Sequence, residues 1–173
     1  MSEQFYTLAG AVVGGLIGVA GTMGAAHLTG RSQRRSQHEQ WRRQVRRDAY
    51  SAFITRAAQA IRQGHSAHEA AQKDDHGASD LIKELGVAAA QVEQAATLVS
   101  LEGPEDVSDG AANIQIGIGR WHRALCTATG VGPGERQDAA WGRALDASTE
   151  VEDGLEEFTV ICRRLLDGRA DIV

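Results

Sequence analysis

The chain has 173 residues, a net charge of −5 and 42% hydrophobic residues, the size of one ordinary domain. Two cysteines exclude a disulfide framework and a four-cysteine zinc site, two prolines exclude a proline-rich linker, and 5% aromatics exclude a base-stacking platform for nucleic acid. Alanine is abundant and β-branched runs are scarce, which disfavours an all-β fold; the 16 arginines against two lysines reflect GC-rich coding rather than chemistry.

These averages conceal a gradient. Gln4 to Gly30 carries no formal charge, and Phe5 to Leu28 is 24 residues long. As a helix this is about 36 Å, which crosses a hydrocarbon core of about 30 Å with some tilt. A cleaved signal peptide needs a positive n-region and a shorter apolar core. Here the leading flank carries Glu3 and no Lys or Arg, so residues 1–30 are expected to form a retained transmembrane anchor. On a helical wheel Gly10, Gly14, Gly18, Gly21 and Ala25 share one narrow stripe, opposite Phe5, Leu8, Val12, Leu16, Val19 and Met23. The small face permits close backbone approach, which points to self-association or pairing with another membrane helix. The plain alternative is that glycine is common in membrane helices.

Arg31, Arg34, Arg35, Arg42, Arg43, Arg46 and Arg47 follow, and with Glu39 give residues 31–47 a charge of +6; residues 48–173 hold 11 basic and 21 acidic side chains, or −10. The positive-inside rule places the N-terminus outside and the rest in the cytoplasm, as a single-pass protein of the cell inner membrane, with both thiols reduced. A basic residue near anionic lipid gains about 1 kcal/mol, so these seven arginines are candidate lipid-surface residues against an anionic bilayer. The alternative is a generic topology signal. Nucleic acid is not an expected partner, because the segment lies against the membrane and belongs to no DNA-reading module.

Behind the basic start at 31–48, residues 49–173 read as a helical bundle. A first helix is expected from Arg31 to Arg62, with Trp41, Val45, Ala49, Phe53, Ala57 and Ile61 near one side and Gly64 weakening or ending it. A polar link, His65 to Asp80, follows. The second helix carries Leu81, Leu85, Ala88, Val92, Ala95 and Val99 at alternating spacings of four and three, the seam of coiled-coil-like packing. Ser79 or Asp80 is its candidate cap, and Gly103-Pro104 stops it. The third helix repeats the pattern with Val107, Ala111, Ile114, Ile118, Trp121 and Leu125. Its glycines at 110, 117 and 119 each cost about 1 kcal/mol relative to alanine, so close helix approach is their expected use. Thr129 to Glu135 is a turn. The fourth helix, Arg136 to Leu166, has the seam Trp141, Leu145, Ser148, Leu155, Phe158, Cys162 and Leu165. Amphipathic helices on short links indicate an antiparallel bundle of about four helices: an all-α chain with an N-terminal transmembrane helix.

Two blocks carry a family resemblance. WRRQVRRDAYSAFI, Trp41 to Ile54, directly behind a short N-terminal membrane segment, and LVSLEGPEDV, Leu98 to Val107, resemble a group of small actinobacterial single-pass membrane proteins of uncharacterised function. The resemblance implies the anchor-plus-bundle architecture, and it implies no catalytic residue, ligand or activity.

Few residues suggest chemistry. His65 and His68, three apart, with His76 and the acids Glu69, Asp74 and Asp75, form a weak metal-like cluster; a solvated link is the plain reading. Gly130, Gly132 and Gly134 lack the preceding strand and the Lys-Ser/Thr pair of a phosphate loop. Cys126 and Cys162 read as small core residues, or as a redox pair if their seams face each other. The sequence therefore points to a non-enzymatic, cofactor-free membrane-anchored interaction or scaffold protein, a homo-oligomer or partner of another membrane helix, docking an unknown cytosolic protein. The alternative is a membrane-tethered metal-binding sensor or enzyme using the His65–His76 link.

Overall fold

The computed structural model describes residues 40–73, 76–130 and 132–167. Contacts divide the chain into two units, Met1–Arg43 and Gln44–Val173, and of the first only residues 40–43 are described. The expected membrane helix, with Gly10, Gly14, Gly18, Gly21 and Ala25, and the arginines 31, 34 and 35 lie outside the described residues. Among the described residues no helix is long and apolar enough to cross a membrane.

The described chain is all-α. Helix α1 covers residues 40–72, α2 Ala78–Glu102, α3 Glu105–Gly130 and α4 Glu135–Leu166. Paired positions give the topology. On α3 and α4, Gly110 lies against Phe158 and Gly117 against Val151, so the two run antiparallel. Gly86 of α2 faces His122 of α3. On α1, Arg46 and Arg56 bond the carbonyls of Glu102 and Gln91 of α2, while Phe53 meets Phe158 and His68 meets Trp141 of α4. Neighbours are antiparallel throughout, and α1 stands diagonal to α3, an up-down-up-down bundle.

The core is continuous and rich in alanine, with Trp121, Tyr50, Phe53 and Phe158 as its large members. Phe158 packs 4.9 Å from Phe53 and edge-on to Tyr50 at 6.4 Å. Such aromatic pairs add about 0.5–1.5 kcal/mol each beyond area burial. The third-helix seam is buried as read from its spacing, from Val107 to Leu125; Gly110 and Gly117 mark close approach, whereas Gly119, whose nearest neighbour is Arg123 of the same helix, does not. A Cβ at Gly117 would lie 2.6 Å from Val151 Cγ2, and one at Gly110 3.1 Å from Phe158 Cδ2.

Three expectations are corrected. Gly64 neither ends nor weakens α1, which runs on through the supposed polar link to residue 72. Trp121 fills the space a side chain would need there, so packing offsets the helix-propensity cost of about 1 kcal/mol. Neither Ser79 nor Asp80 caps α2. Gly77 does so through its carbonyl, which accepts the N–H groups of Asp80 and Leu81 at 3.1 and 3.2 Å. On α4 the buried row is Ala140, Ala144, Ala147, Ser148, Val151, Phe158 and Cys162, and Leu145 is 60% exposed.

The junctions follow from local chemistry. Gly103 closes α2 with its N–H on the Val99 carbonyl at 2.7 Å, and the Pro104 carbonyl then accepts from Val107 and Ser108 at 3.1 Å to open α3. Proline suits this place because its missing N–H would have no helical partner. Glu105 and Asp106 in the first turn complement the helix dipole. Between α3 and α4, Gly134 adopts φ 139°, a region that side chains make costly. The glycine triplet thus serves a helix-to-helix turn.

Candidate functional site

The basic stretch divides where it becomes visible. Arg42, Arg43 and Arg47 are exposed along α1, and Arg46 is half-buried. Its Nε donates to the Glu102 carbonyl at 2.7 Å. The last carbonyls of α2 have no intrahelical partner, and a cation there also complements the negative helix end. Arg46 is therefore a clamp between α1 and α2, which its place in a run of arginines concealed.

The histidines lie on the last turns of α1 or just past them. His65 meets Glu152 of α4, Nε2 to Oε1 at 2.5 Å, and stands edge-on to Trp121 with centroids 5.2 Å apart. His68 lies 5.2 Å from the Trp141 ring. Burial, and then the neighbouring His65, hold the His68 imidazole below its usual range. His76 is exposed in the turn beyond, and Asp74 and Asp75 lie outside the described residues. Among the described residues no group of three or more His, Cys, Asp or Glu is gathered as a metal would require. His65 and His68 do share one side of α1, and that side faces α4.

The cysteines are also placed apart. Both are free, and they sit near the C-terminal ends of two antiparallel helices, so they do not form a pair. Cys162 is core, and burial pushes its thiol up to about 11. Cys126, expected in the core, is exposed instead, with Sγ 3.6 Å from His122 Nε2. It lines an open cleft of about 620 Å³ shared with Ser79, Lys83, His122, Gln137 and Trp141. A second furrow, about 380 Å³ between α3 and α4, holds Arg120, Arg123 and Arg143 with Asp146 and Glu150. Arg120 is bonded to Glu150 at 2.6 Å, so charges there largely answer one another.

The third cleft differs in character. Between α1 and α4 runs a groove of about 480 Å³ with Ile54, Ala58 and Ile61 on one wall and Leu155, Thr159 and Val160 on the other. Glu152, Glu156 and Arg163 edge it on the α4 side. α1 and α4 are the long helices of the bundle, and this outward face is left open between them. The sequence held a signal for it. Ile54, Ala58 and Ile61 form a second apolar row on α1, beside the buried row Phe53, Ala57 and Ala60; Ile54 and Ile61 pack partly against the core and partly line the groove.

No family model, curated protein or solved structure matches the chain.

Proposed function

We propose that this protein is a non-enzymatic, single-pass inner-membrane scaffold. Residues 1–30 anchor it with the N-terminus outside, Arg42, Arg43 and Arg47 with the preceding arginines lie at the anionic lipid surface, and the helical bundle stands in the cytoplasm. Its work is assembly: copies associate through the small-residue face of the anchor, and the acidic bundle is displayed to a cytosolic partner. The observation that carries this reading is the open apolar groove on the α1/α4 face. One wall lies on α1, the helix that also carries Arg42, Arg43 and Arg47. The histidines support the same reading, because His65 and His68 are engaged by Glu152, Trp121 and Trp141.

The test is topology and association in the native membrane. Resistance to alkaline extraction, with a C-terminal tag protected in spheroplasts, is the expected result. Gly14→Ile should reduce crosslinked oligomers. Extraction of the chain, or a tag digested from outside, would overturn the reading.

A further inference from the structure

We propose that Cys126 and His122 form a thiol site that takes up a small, negatively charged disulfide by exchange and holds one half of it as a reversible mixed disulfide. The proposal rests on the bundle alone. Where α2 begins and α3 finishes, the four helices leave an open cleft of about 620 Å³. α3 sets His122 and Cys126 one turn apart on the wall of this cleft. Sγ lies 3.6 Å from Nε2, close enough for the thiol to pass its proton to the imidazole. Cys126 is exposed, so a reagent can reach the sulfur. The imidazole is held from its other side by α2. A Cβ at Gly86 would lie 3.1 Å from the same Nε2, so the glycine leaves room for the ring beside the sulfur.

The surroundings select the reaction. Exchange needs a deprotonated sulfur, a proton for the departing thiolate and space for the incoming half. The imidazole supplies the first two and the cleft the third. Attack on a carbonyl would also need donors for an oxyanion. Two polar side chains of the cleft are instead turned to backbone carbonyls: Thr129 donates to Leu125 at 2.9 Å and Gln137 to Ala128 at 3.1 Å. Among the described residues no third metal-ligating side chain joins the pair. The lining carries Lys83 and no carboxylate. Asp80 holds Lys83 Nζ at 2.8 Å, but both side chains are exposed, and such a pair opens at little cost. An anionic disulfide therefore meets a cation and no opposing charge on the wall.

The step balances without a further oxidant. Nε2 takes the thiol proton, and Sγ attacks one sulfur of the disulfide. A new S–S bond forms to Cys126 as the old one breaks. The released thiolate takes the proton back from the imidazolium and leaves as a thiol. Cys126 is oxidised and the departing half is reduced, and excess thiol runs the step backwards.

The experiment uses the full chain with glutathione disulfide as the probe, and peptide mass mapping reads the adduct at Cys126. The folded protein should react about tenfold faster or more than the same residue in urea, the imidazole acting as general base. Equal rates would leave Cys126 a merely accessible thiol and overturn the proposal. His122→Gln should slow the native reaction about tenfold near neutral pH. The deficit should close by about pH 9, where thiols ionise unaided; a deficit equal at every pH, or none at all, would overturn the role of the imidazole. Gly86→Ala separates this role from folding. Alanine favours the helix, so melting should not fall, yet the added Cβ displaces the imidazole and should slow exchange; an unchanged rate would count against the pairing. Cystamine, a cationic disulfide, should lose rate relative to glutathione disulfide when the chain folds. The same rate ratio in folded and unfolded chains would overturn the preference for an anion.

Discussion

Gly64 of α1 and Trp121 of α3 occupy complementary halves of one space. A Cβ at position 64 would lie 2.5 Å from both Cζ3 and Cη2 of the indole, and Trp121 is fully buried. Two effects oppose each other in Gly64→Ala. Helix propensity favours alanine by about 1 kcal/mol, while overpacking costs about 1–3 kcal/mol. The ring is rigid and enclosed, so overpacking wins, and a net loss of up to about 2 kcal/mol is expected in urea unfolding. Gly142→Ala supplies the contrast. Nothing lies within 4 Å of its Cβ position, so propensity acts alone and a gain of up to about 1 kcal/mol is expected. The same substitution in two helices of one bundle should have opposite signs.

That contrast also shows what the sequence could convey. The α3 seam was legible because its core residues are large and regularly spaced. On α4 Ser148, Phe158 and Cys162 were legible, whereas buried Val151 was missed and Leu155 and Leu165 are only half-buried. Spacing rules favour bulky residues, and Leu145 outweighed Ala144 and Ala147, which are the buried ones. A glycine that receives a tryptophan from another helix looks, in sequence, like a glycine that ends a helix. That ambiguity turned the end of α1 into a supposed link and hid the contacts of His65 with Glu152 and of His68 with Trp141. The α1/α4 groove was implicit in the doubled apolar row, but its second wall comes from α4, far away in the chain. Arg46 was legible as a charge and not as a clamp, because its partner is a backbone carbonyl 56 residues later.

Two buried groups lower the stability of the fold at alkaline pH. Burial raises the Cys162 thiol from 9.0 to about 11 and also raises the Tyr50 hydroxyl above its usual 10.0. Each group is more easily deprotonated when unfolded. Their stabilising contribution is therefore complete below pH 9 and is lost as pH rises through the folded values. Denaturant midpoints should be level near pH 8 and fall between about pH 9 and 11. Tyr50→Phe should lessen that fall. It should also stabilise by about 1 kcal/mol at neutral pH, because the Tyr50 hydroxyl is buried without a hydrogen-bond partner. Native Cys126 should react with a thiol reagent, and Cys162 only on unfolding.

His68 sets a corresponding acid response. Its imidazole is held below 6.5 by burial and by His65, so the unfolded chain takes up the proton first. Stability is present above pH 6.5 and is lost as pH falls through the lower folded value. The His68 ring protons, followed by NMR, should titrate below 6.5. In His65→Gln the titration should move part of the way back, and burial against Trp141 should keep the rest.

The clamp at Arg46 separates a contact within the fold from an exposed charge at Arg47 in one basic segment. Its Nε reaches the Glu102 carbonyl at the end of α2, whereas Arg47, the next residue, is exposed. Arg46→Ala removes a charged donor from a helix C-terminus and should cost about 1 kcal/mol, with the loss spread over partly solvated groups. Arg46→Gln should recover part of this by offering a neutral donor, and Arg47→Ala should leave unfolding unchanged. Binding to vesicles should order the variants differently: loss of Arg47 weakens attachment to anionic vesicles and has no effect on neutral ones. A matched loss of stability in both variants would mean that the stretch is one structural element; matched loss of vesicle binding without unfolding would mean that the clamp contributes nothing to the bundle.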